Sequence, residues 1–231
     1  MTEPVDVLVI AAHPDDAEFG AAGTLAKWTR DGRKAAYVIC TGGEKGTSDP
    51  TLTPEALKRI REEEQRAAAR TLGVQEVVFL GLPDQGLEDT ADLRKLIVRL
   101  IRAYRPAIVM TSDPYRRYIW HRDHRIIGQV VLDAIFPFAR DHLAYPDLLA
   151  EGLLPHKVKE IYFWGTEDIN FRSDITETFD LKITALRCHA SQMRGLPTGD
   201  PEEWLRRRCR EMAAGESFGL AEAFHLTVAP P

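Results

Sequence analysis

The chain has 231 residues, 44% hydrophobic and 28% charged, with 35 acidic against 30 basic side chains and a formal charge of −5. That profile suits one sizeable soluble domain with a buried core. It excludes fibrous, collagen-like and disordered chains, and a general nucleic-acid binder, which needs net or clustered positive charge.

Val5 to Ala11 is a short, β-branched apolar run, the pattern of a strand buried on both faces. A helix is expected from Phe19 to Arg30, ended by Asp31-Gly32, and a second strand from Lys34 to Cys40. Thr41 to Thr53 reads as a polar loop holding Gly42, Gly43 and Gly46. Thr53-Pro54 then places an N-cap before proline at the first position of a helix that runs to Leu72, where Gly73 stops it. A strand over Val77 to Leu80, a helix from Asp89 or Thr90 to the residue before Pro106, and a strand over Ala107 to Thr111 complete the first half. The order predicts an α/β, Rossmann-like three-layer sandwich with a mostly parallel sheet. The second half is less regular. Helices are expected from Arg122 to Phe136, Thr178 to His189 and Pro201 to Ala214, with one strand over Glu160 to Trp164 and a loop-rich stretch over Pro137 to Lys157. No composition shift marks a second domain. The reading is one domain over 1–231, with 1–136 as its core and 137–231 completing the pocket.

Two clusters carry the chemistry. Ala12-His13-Pro14-Asp15-Asp16 follows the first strand, and His121-Arg122-Asp123-His124 follows the fourth. In the doubly wound order 3-2-1-4 those strands are neighbours, and the crevice between them is where such sheets bind ligands. The clusters are therefore expected to converge. Imidazole and carboxylate suit Zn²⁺, and His13 with Asp16, like His121 with His124, have an i,i+3 spacing. A catalytic zinc site uses three protein ligands and a water whose pKa falls to about 7. Asp15 is placed to take that water's proton. One histidine of the second pair can stabilise an oxyanion while the other binds metal. These parts together point to hydrolysis of an amide or ester carbonyl.

The same residues carry a resemblance. AHPDD, TGGEKGT after the second strand, Arg61-Glu64-Ala68-Ala69-Leu72-Gly73, HRDH, Asp174 to Lys182 (DITETFDLK) and His189 to Gln192 (HASQ) resemble the LmbE/PIG-L-like zinc-dependent deacetylases. The resemblance spans most of the chain. It implies a Rossmann-like fold and removal of acetyl from N-acetylglucosaminyl compounds. By motif it implies His13, Asp16 and His124 as zinc ligands, Asp15 as general base, His121 at the oxyanion and Asp123 as the partner orienting His121. That last pairing requires His121 to lie outside the regular helix, since residues two apart do not share a face.

One segment departs from the family pattern: Tyr115-Arg116-Arg117-Tyr118-Ile119-Trp120 is basic and aromatic where members carry a shorter, more acidic loop. At a pocket mouth it would suit an anionic aglycone. Glu44 and Lys45 are placed at the crevice rim, where glycines let backbone approach a ligand. Arg61 reads either as a surface partner of Glu64 or, by the resemblance, as a substrate contact. Arg140, after Phe136-Pro137-Phe138, belongs to a loop able to close over a sugar, or to the surface. His189 suits a helix terminus, and the resemblance keeps it as a pocket residue. No Walker A loop, GxGxxG or GxSxG is present.

The leading expectation is a hydrolase that removes N-acetyl from a small N-acetylglucosamine conjugate, either a glucosaminyl-malate precursor of a low-molecular-weight thiol or a chitobiose-type sugar. Its cofactor is Zn²⁺ or another divalent transition metal. Competing readings are an amidase of thiol conjugates and a non-catalytic sugar- or metal-binding module. The expected partner is a small amino-sugar substrate, with no nucleic acid and no membrane: the apolar stretch Leu96 to Ile101 is interrupted by Arg99 and the N-terminus lacks a basic leader. Cys40, Cys188 and Cys209 form no CxxC, which fits a reducing, cytoplasmic compartment. A homo-oligomer is expected from the resemblance.

Overall fold

The computed structural model describes residues 3–118, 121–194 and 200–230; Ile119 and Trp120 of the basic-aromatic segment lie outside the described residues. Strand β1 (Val7–Ala11) is buried along its length, as are β2 (Ala35–Thr41) and β4 (Ile108–Ser112). Alternate residues of β1 enter opposite layers. Leu8 and Ile10 pack with α3 (Ala91–Tyr104) and α4 (Arg122–Asp133) through Ile97, Ile101 and Val130. Val7 and Val9 pack with α1 (Asp16–Arg30) and α2 (Pro54–Thr71) through Ala21, Leu25 and Ala68. The strand's period of two sorts one apolar run between two helix layers, which gives the three-layer sandwich.

With β3 (Glu76–Leu82), β5 (Glu160–Trp164), β6 (Phe171–Asp174) and β7 (Ala221–Val228), the sheet order is β3-β2-β1-β4-β5-β7-β6. Strands β3 to β5 in that row are parallel, and β1 pairs with both β2 and β4, as the doubly wound order requires. Strand β7 runs antiparallel between β5 and β6. The sequence reading assigns no strand to either. FRSD has four residues, three of them polar, and AEAFHLTV places Glu222 and His225 among its apolar residues. Cross-strand pairing, not a local pattern, makes them strands.

Helix α2 starts at the expected cap, where the Thr53 hydroxyl accepts from Ala56 N–H at 3.2 Å ahead of Pro54. Thr90 caps α3 the same way through Leu93 N–H. Helix α4 stops at Asp133, short of the expected Phe136, and a kinked stretch over Ala134–Ala139 follows, in which Phe136 is extended (φ −137°, ψ 124°). A short α5 (Pro146–Ala150) lies in the stretch expected as loop. Helices α6 (Phe179–Cys188) and α8 (Pro201–Met212) share a small core of Ile175, Phe179, Leu186, Leu205 and Cys209, with α7 (Ala190–Met193) between them. Among the described residues no helix is long and apolar enough to cross a membrane.

Helix α1, which carries Asp16 at its start, leans on two later elements. The carboxylate of Glu222 on β7 accepts from the N–H groups of Gly23 and Thr24 at 2.9 and 2.8 Å. The ammonium of Lys182 on α6 donates to the carbonyls of Glu18 and Phe19 at 2.9 and 2.8 Å. The two side chains also pair with each other, 2.7 Å from Nζ to Oε1, so a buried ion pair braces this turn of α1.

Candidate metal centre and active site

The two clusters meet at the carboxyl ends of β1 and β4. His13 is 6% exposed. Its ring centroid lies 4.4 Å from that of His121 and 5.1 Å from that of His124. Nδ1 of His13 is 3.1 Å from Nε2 of His124, Asp16 Oδ1 is 2.9 Å from the same Nε2, and Asp16 Oδ2 is 3.5 Å from His13 Nδ1. Donors around a tetrahedral ion with bonds of ~2.0–2.1 Å stand about 3.3 Å apart. The His13–His124 separation is close to that value, and Asp16 meets each histidine through a different carboxylate oxygen; imidazole with carboxylate suits a divalent cation of borderline softness. Two sets of donors lie within 4.8 Å of one another: the nitrogens of His13, His121 and His124, and donors of His13, Asp84, His121 and Asp123.

The second nitrogen of His13 is held from behind. Asp123 Oδ2 lies 3.3 Å from Nε2, and Asp84 Oδ1 lies 3.1 Å away as an ion pair without hydrogen-bond alignment. Burial opposes a charge on His13, but the carboxylates of Asp123, Asp16 and Asp84 outweigh it and hold the imidazolium up to about 11. Burial likewise works against the Asp84 carboxylate, and His13 overrides it, so Asp84 titrates at about 2. Asp16 also falls below the usual carboxylate range: burial is outweighed by His124 and His13. Carboxylates that grip the far nitrogen of a ligating histidine orient it and raise its basicity.

The expected pairing of the Asp123 carboxylate with the His121 ring is corrected here. Asp123 is the second residue of α4 and is fully buried, so its carboxylate turns into the sheet edge. There it meets His13 and accepts from Gln85 N–H at 2.8 Å and Leu87 N–H at 3.3 Å. His121 is the N-cap of α4, outside the regular helix, and its Nδ1 accepts from the backbone N–H of Asp123 at 3.3 Å. Burial, then His13 and His124, lower its pKa. A neutral ring that accepts at Nδ1 carries its hydrogen on Nε2.

Asp15 sits in the left-handed region, φ 85°, where aspartate is among the few tolerated side chains. Its N–H donates to Gln65 Oε1 at 3.0 Å. Burial pushes its carboxyl up to about 6, against the opposing pull of Arg61, whose Nη2 lies 3.3 Å away. Arg61 is 4% exposed and also donates to the carbonyls of Pro14 and Gly43 at 2.6 and 2.9 Å. It braces the Asp15 loop and is not a surface partner of Glu64. The glycine-rich loop makes room for it: a Cβ on Gly43, φ 61°, would lie 2.2 Å from Arg61 Nη1. Glu64 instead accepts from Ser191 N–H and Oγ.

Behind Asp15 lies a buried chain. Gln65 Nε2 donates to Glu18 Oε1 at 2.9 Å, and His189 Nε2 stands 3.3 Å from Glu18 Oε2, off the hydrogen-bond axis. Burial disfavours a charged His189, and Glu18 outweighs it and raises the pKa. His189 is fully buried, so it backs the site and does not line an open wall.

Glu44 and Lys45 are occupied by the loop after β3. Asp84 N–H donates to Glu44 Oε1 at 2.8 Å, while Lys45 N–H and Nζ reach Asp84 Oδ2 and the Asp84 carbonyl at 2.9 and 2.7 Å. Arg140 lies at the opposite edge of the sheet. Its guanidinium donates to the Pro230 carbonyl at 3.1 Å, beyond the end of β7 that pairs with the start of β5. The loop after that kinked stretch packs on Arg102, not on the crevice. Of the basic-aromatic segment, Arg116 lines a cavity beside Asp16 and His124, while Tyr115 and Tyr118 are exposed. Asp84, Gln65 and Glu18 are absent from the sequence reading. Asp84 had a signal, since Leu82-Pro83-Asp84 leaves the third parallel strand at the same carboxyl edge. Gln65 and Glu18 lie inside helical runs and had none.

Residues 8–135 match the family model PIG-L: GlcNAc-PI de-N-acetylase. Over 186 residues the chain is 37% identical to the diacetylchitobiose deacetylase of Thermococcus kodakarensis, covering 80% of this chain and 69% of that protein. It is 30% identical over 191 residues to the Bacillus anthracis protein named "Probable N-acetyl-alpha-D-glucosaminyl L-malate deacetylase 2", covering 80% of each. The solved N,N'-diacetylchitobiose deacetylase from Pyrococcus horikoshii superposes with a TM-score of 0.89 at 31% identity, covering 96% of this chain and 83% of that one. With the converged His/Asp clusters on the carboxyl edge of a doubly wound sheet, these matches make the chain a member of the PIG-L family.

Proposed function

We propose that the protein hydrolyses the N-acetyl amide of a small N-acetylglucosamine conjugate, with His13, Asp16 and His124 holding a divalent cation, zinc by donor set. The observation that carries this is the carboxyl of Asp15, next in the chain to Asp16 and ion-paired with buried Arg61, while Asp16 meets His13 and His124. A cation bound there polarises the amide carbonyl and acidifies water. Asp15 takes the proton of the attacking water and delivers it to the departing amine nitrogen, the role of a base whose pKa lies near the working pH. Arg61 and Gln65 fix the loop that holds Asp15. His121, with its Nε2 hydrogen free, donates to the oxygen that gains charge. Asp123 and Asp84 hold His13 through Nε2 and leave Nδ1 for the cation.

The names of the two curated relatives bring neutral chitobiose-type and anionic malate aglycones to this chain as candidate substrates. The unpaired cysteines support a cytoplasmic setting. Exposed Leu143 and Leu154 in the second half support contacts between copies, which light scattering tests.

The deciding experiment is acetate release by metal-loaded protein from N-acetylglucosaminides with malate, inositol and sugar aglycones. Release that falls by about 10²–10⁴ in Asp15→Ala, with one metal per chain retained, supports the reading. Equal release by that variant, or none by the wild type, overturns it.

A further inference from the structure

A cavity of about 330 Å³ opens beside Asp16 and His124 and runs between α1, β5, β7 and α8. Its walls are Phe19, Trp164, Trp204, Leu205 and Met212. Of the charged groups along it, Lys182 and Glu222 satisfy each other and α1, the Arg208 guanidinium lies over the Trp204 ring at 5.6 Å, and Arg116 lines the cavity with Asp16 and His124. Neither Asp15 nor His121 lines it.

We propose that this cavity receives the acyl chain of the substrate, so that the enzyme hydrolyses amides of acids longer than acetic acid. The inference rests on the hydrolytic reading above. In that reaction the water oxygen bonds to the acyl carbon, the C–N bond breaks, its electron pair goes to nitrogen, and Asp15 returns the proton there. The amine and its sugar therefore leave on the Asp15 side. The substituent on the other side of the acyl carbon faces the wall that contains Asp16 and His124 but not Asp15. That wall opens into the cavity. A methyl group needs on the order of a tenth of such a volume, and the apolar side chains of the wall reward each methylene that leaves water.

The test is a series of N-acylglucosamines from acetyl to hexanoyl, with metal-loaded protein, read as kcat/KM. Each added methylene is expected to raise kcat/KM about three- to fourfold up to butyryl. Met212→Trp, which narrows the cavity, is expected to erase the gain. Met212→Ala is expected to keep the gain and extend it toward hexanoyl. Calorimetric titration of acetate, butanoate and hexanoate gives a readout independent of turnover: affinity rises with chain length in the wild type and not in Met212→Trp. Acetyl turnover with activity falling steadily along the series, and no rise in carboxylate affinity, overturns the acyl subsite and leaves the deacetylase standing. No turnover of any amide overturns the hydrolytic reading, and with it the acyl-chain assignment.

Discussion

Asp123 Oδ2 lies 3.3 Å from Nε2 of His13, a residue 110 positions earlier in the chain. The contact ties the two sequence clusters together through the nitrogen that faces away from His124. The carboxylate is fully buried and also accepts from two backbone N–H groups of the loop after β3. One side chain thus fixes both a candidate ligand and the loop that carries Asp84.

Replacing Asp123 by Ala should weaken metal binding by about 10- to 100-fold, the usual effect of losing an outer carboxylate on a ligating histidine. Competition with a chromogenic chelator measures it. Unchanged affinity would make Asp123 a loop anchor only.

Lys182→Met should destabilise the protein by about 3–5 kcal/mol, because it leaves the Glu222 carboxylate buried without its cation. Both side chains are nearly inaccessible, 1% and 3% exposed, so solvent does not screen the loss. Urea unfolding gives the number. A change under 1 kcal/mol would mean that the N–H groups of Gly23 and Thr24 satisfy Glu222 alone.

Gly43→Ala should lower kcat at least tenfold with metal content intact. A Cβ there drives into the Arg61 guanidinium, which braces Asp15 and Pro14. Gly81→Ala is the control. It has a similar φ of 67° against 61°, but its Cβ meets nothing nearer than Lys58 Nζ at 3.5 Å. Both variants share the backbone strain, of order 1 kcal/mol, and only the first should lose activity.

Stability should fall as the pH drops below 6.5 through His156. Burial lowers the pKa of this ring from its ordinary 6.5, against a hydrogen bond to the Pro106 carbonyl. The unfolded chain then binds the proton more readily than the folded one. The contribution is complete above pH 6.5 and drains away as the pH falls toward the folded value. In His156→Gln the slope of unfolding free energy between pH 7 and 5 should be shallower. An identical slope would assign the acid sensitivity to other groups.

The parallel half of the fold was legible because it obeys local rules. Val7 to Ala11 has no polar residue, Thr53-Pro54 and Thr90 cap their helices, and the order of elements places β1 beside β4. The meeting of His13 with His121 and His124 followed from that topology. What escaped notice depends on partners far away in sequence. Glu222 and His225 disguise β7, and nothing local says that Glu222 faces α1. Arg61 and Glu64 are three residues apart on a helix, which suggests a surface pair; yet the glycines at 43 and 46 draw the guanidinium inward and Ser191 takes the carboxylate. Arg140 followed an aromatic loop that faces the other end of the sheet.

Glu222 completes α1 from 198 residues downstream. During synthesis, α1 leaves the ribosome long before the strand whose carboxylate accepts from Gly23 and Thr24 N–H. Until β7 inserts between β5 and β6, the stretch from Glu18 to Thr24 has backbone groups without their final partners, and the ammonium of Lys182 has no counter-ion. The turn bearing Asp15 and Asp16 therefore gains its native support late. A nascent chain halted before β7 would carry every candidate metal ligand and still lack the frame that holds them, which couples the candidate site to a strand made well after it.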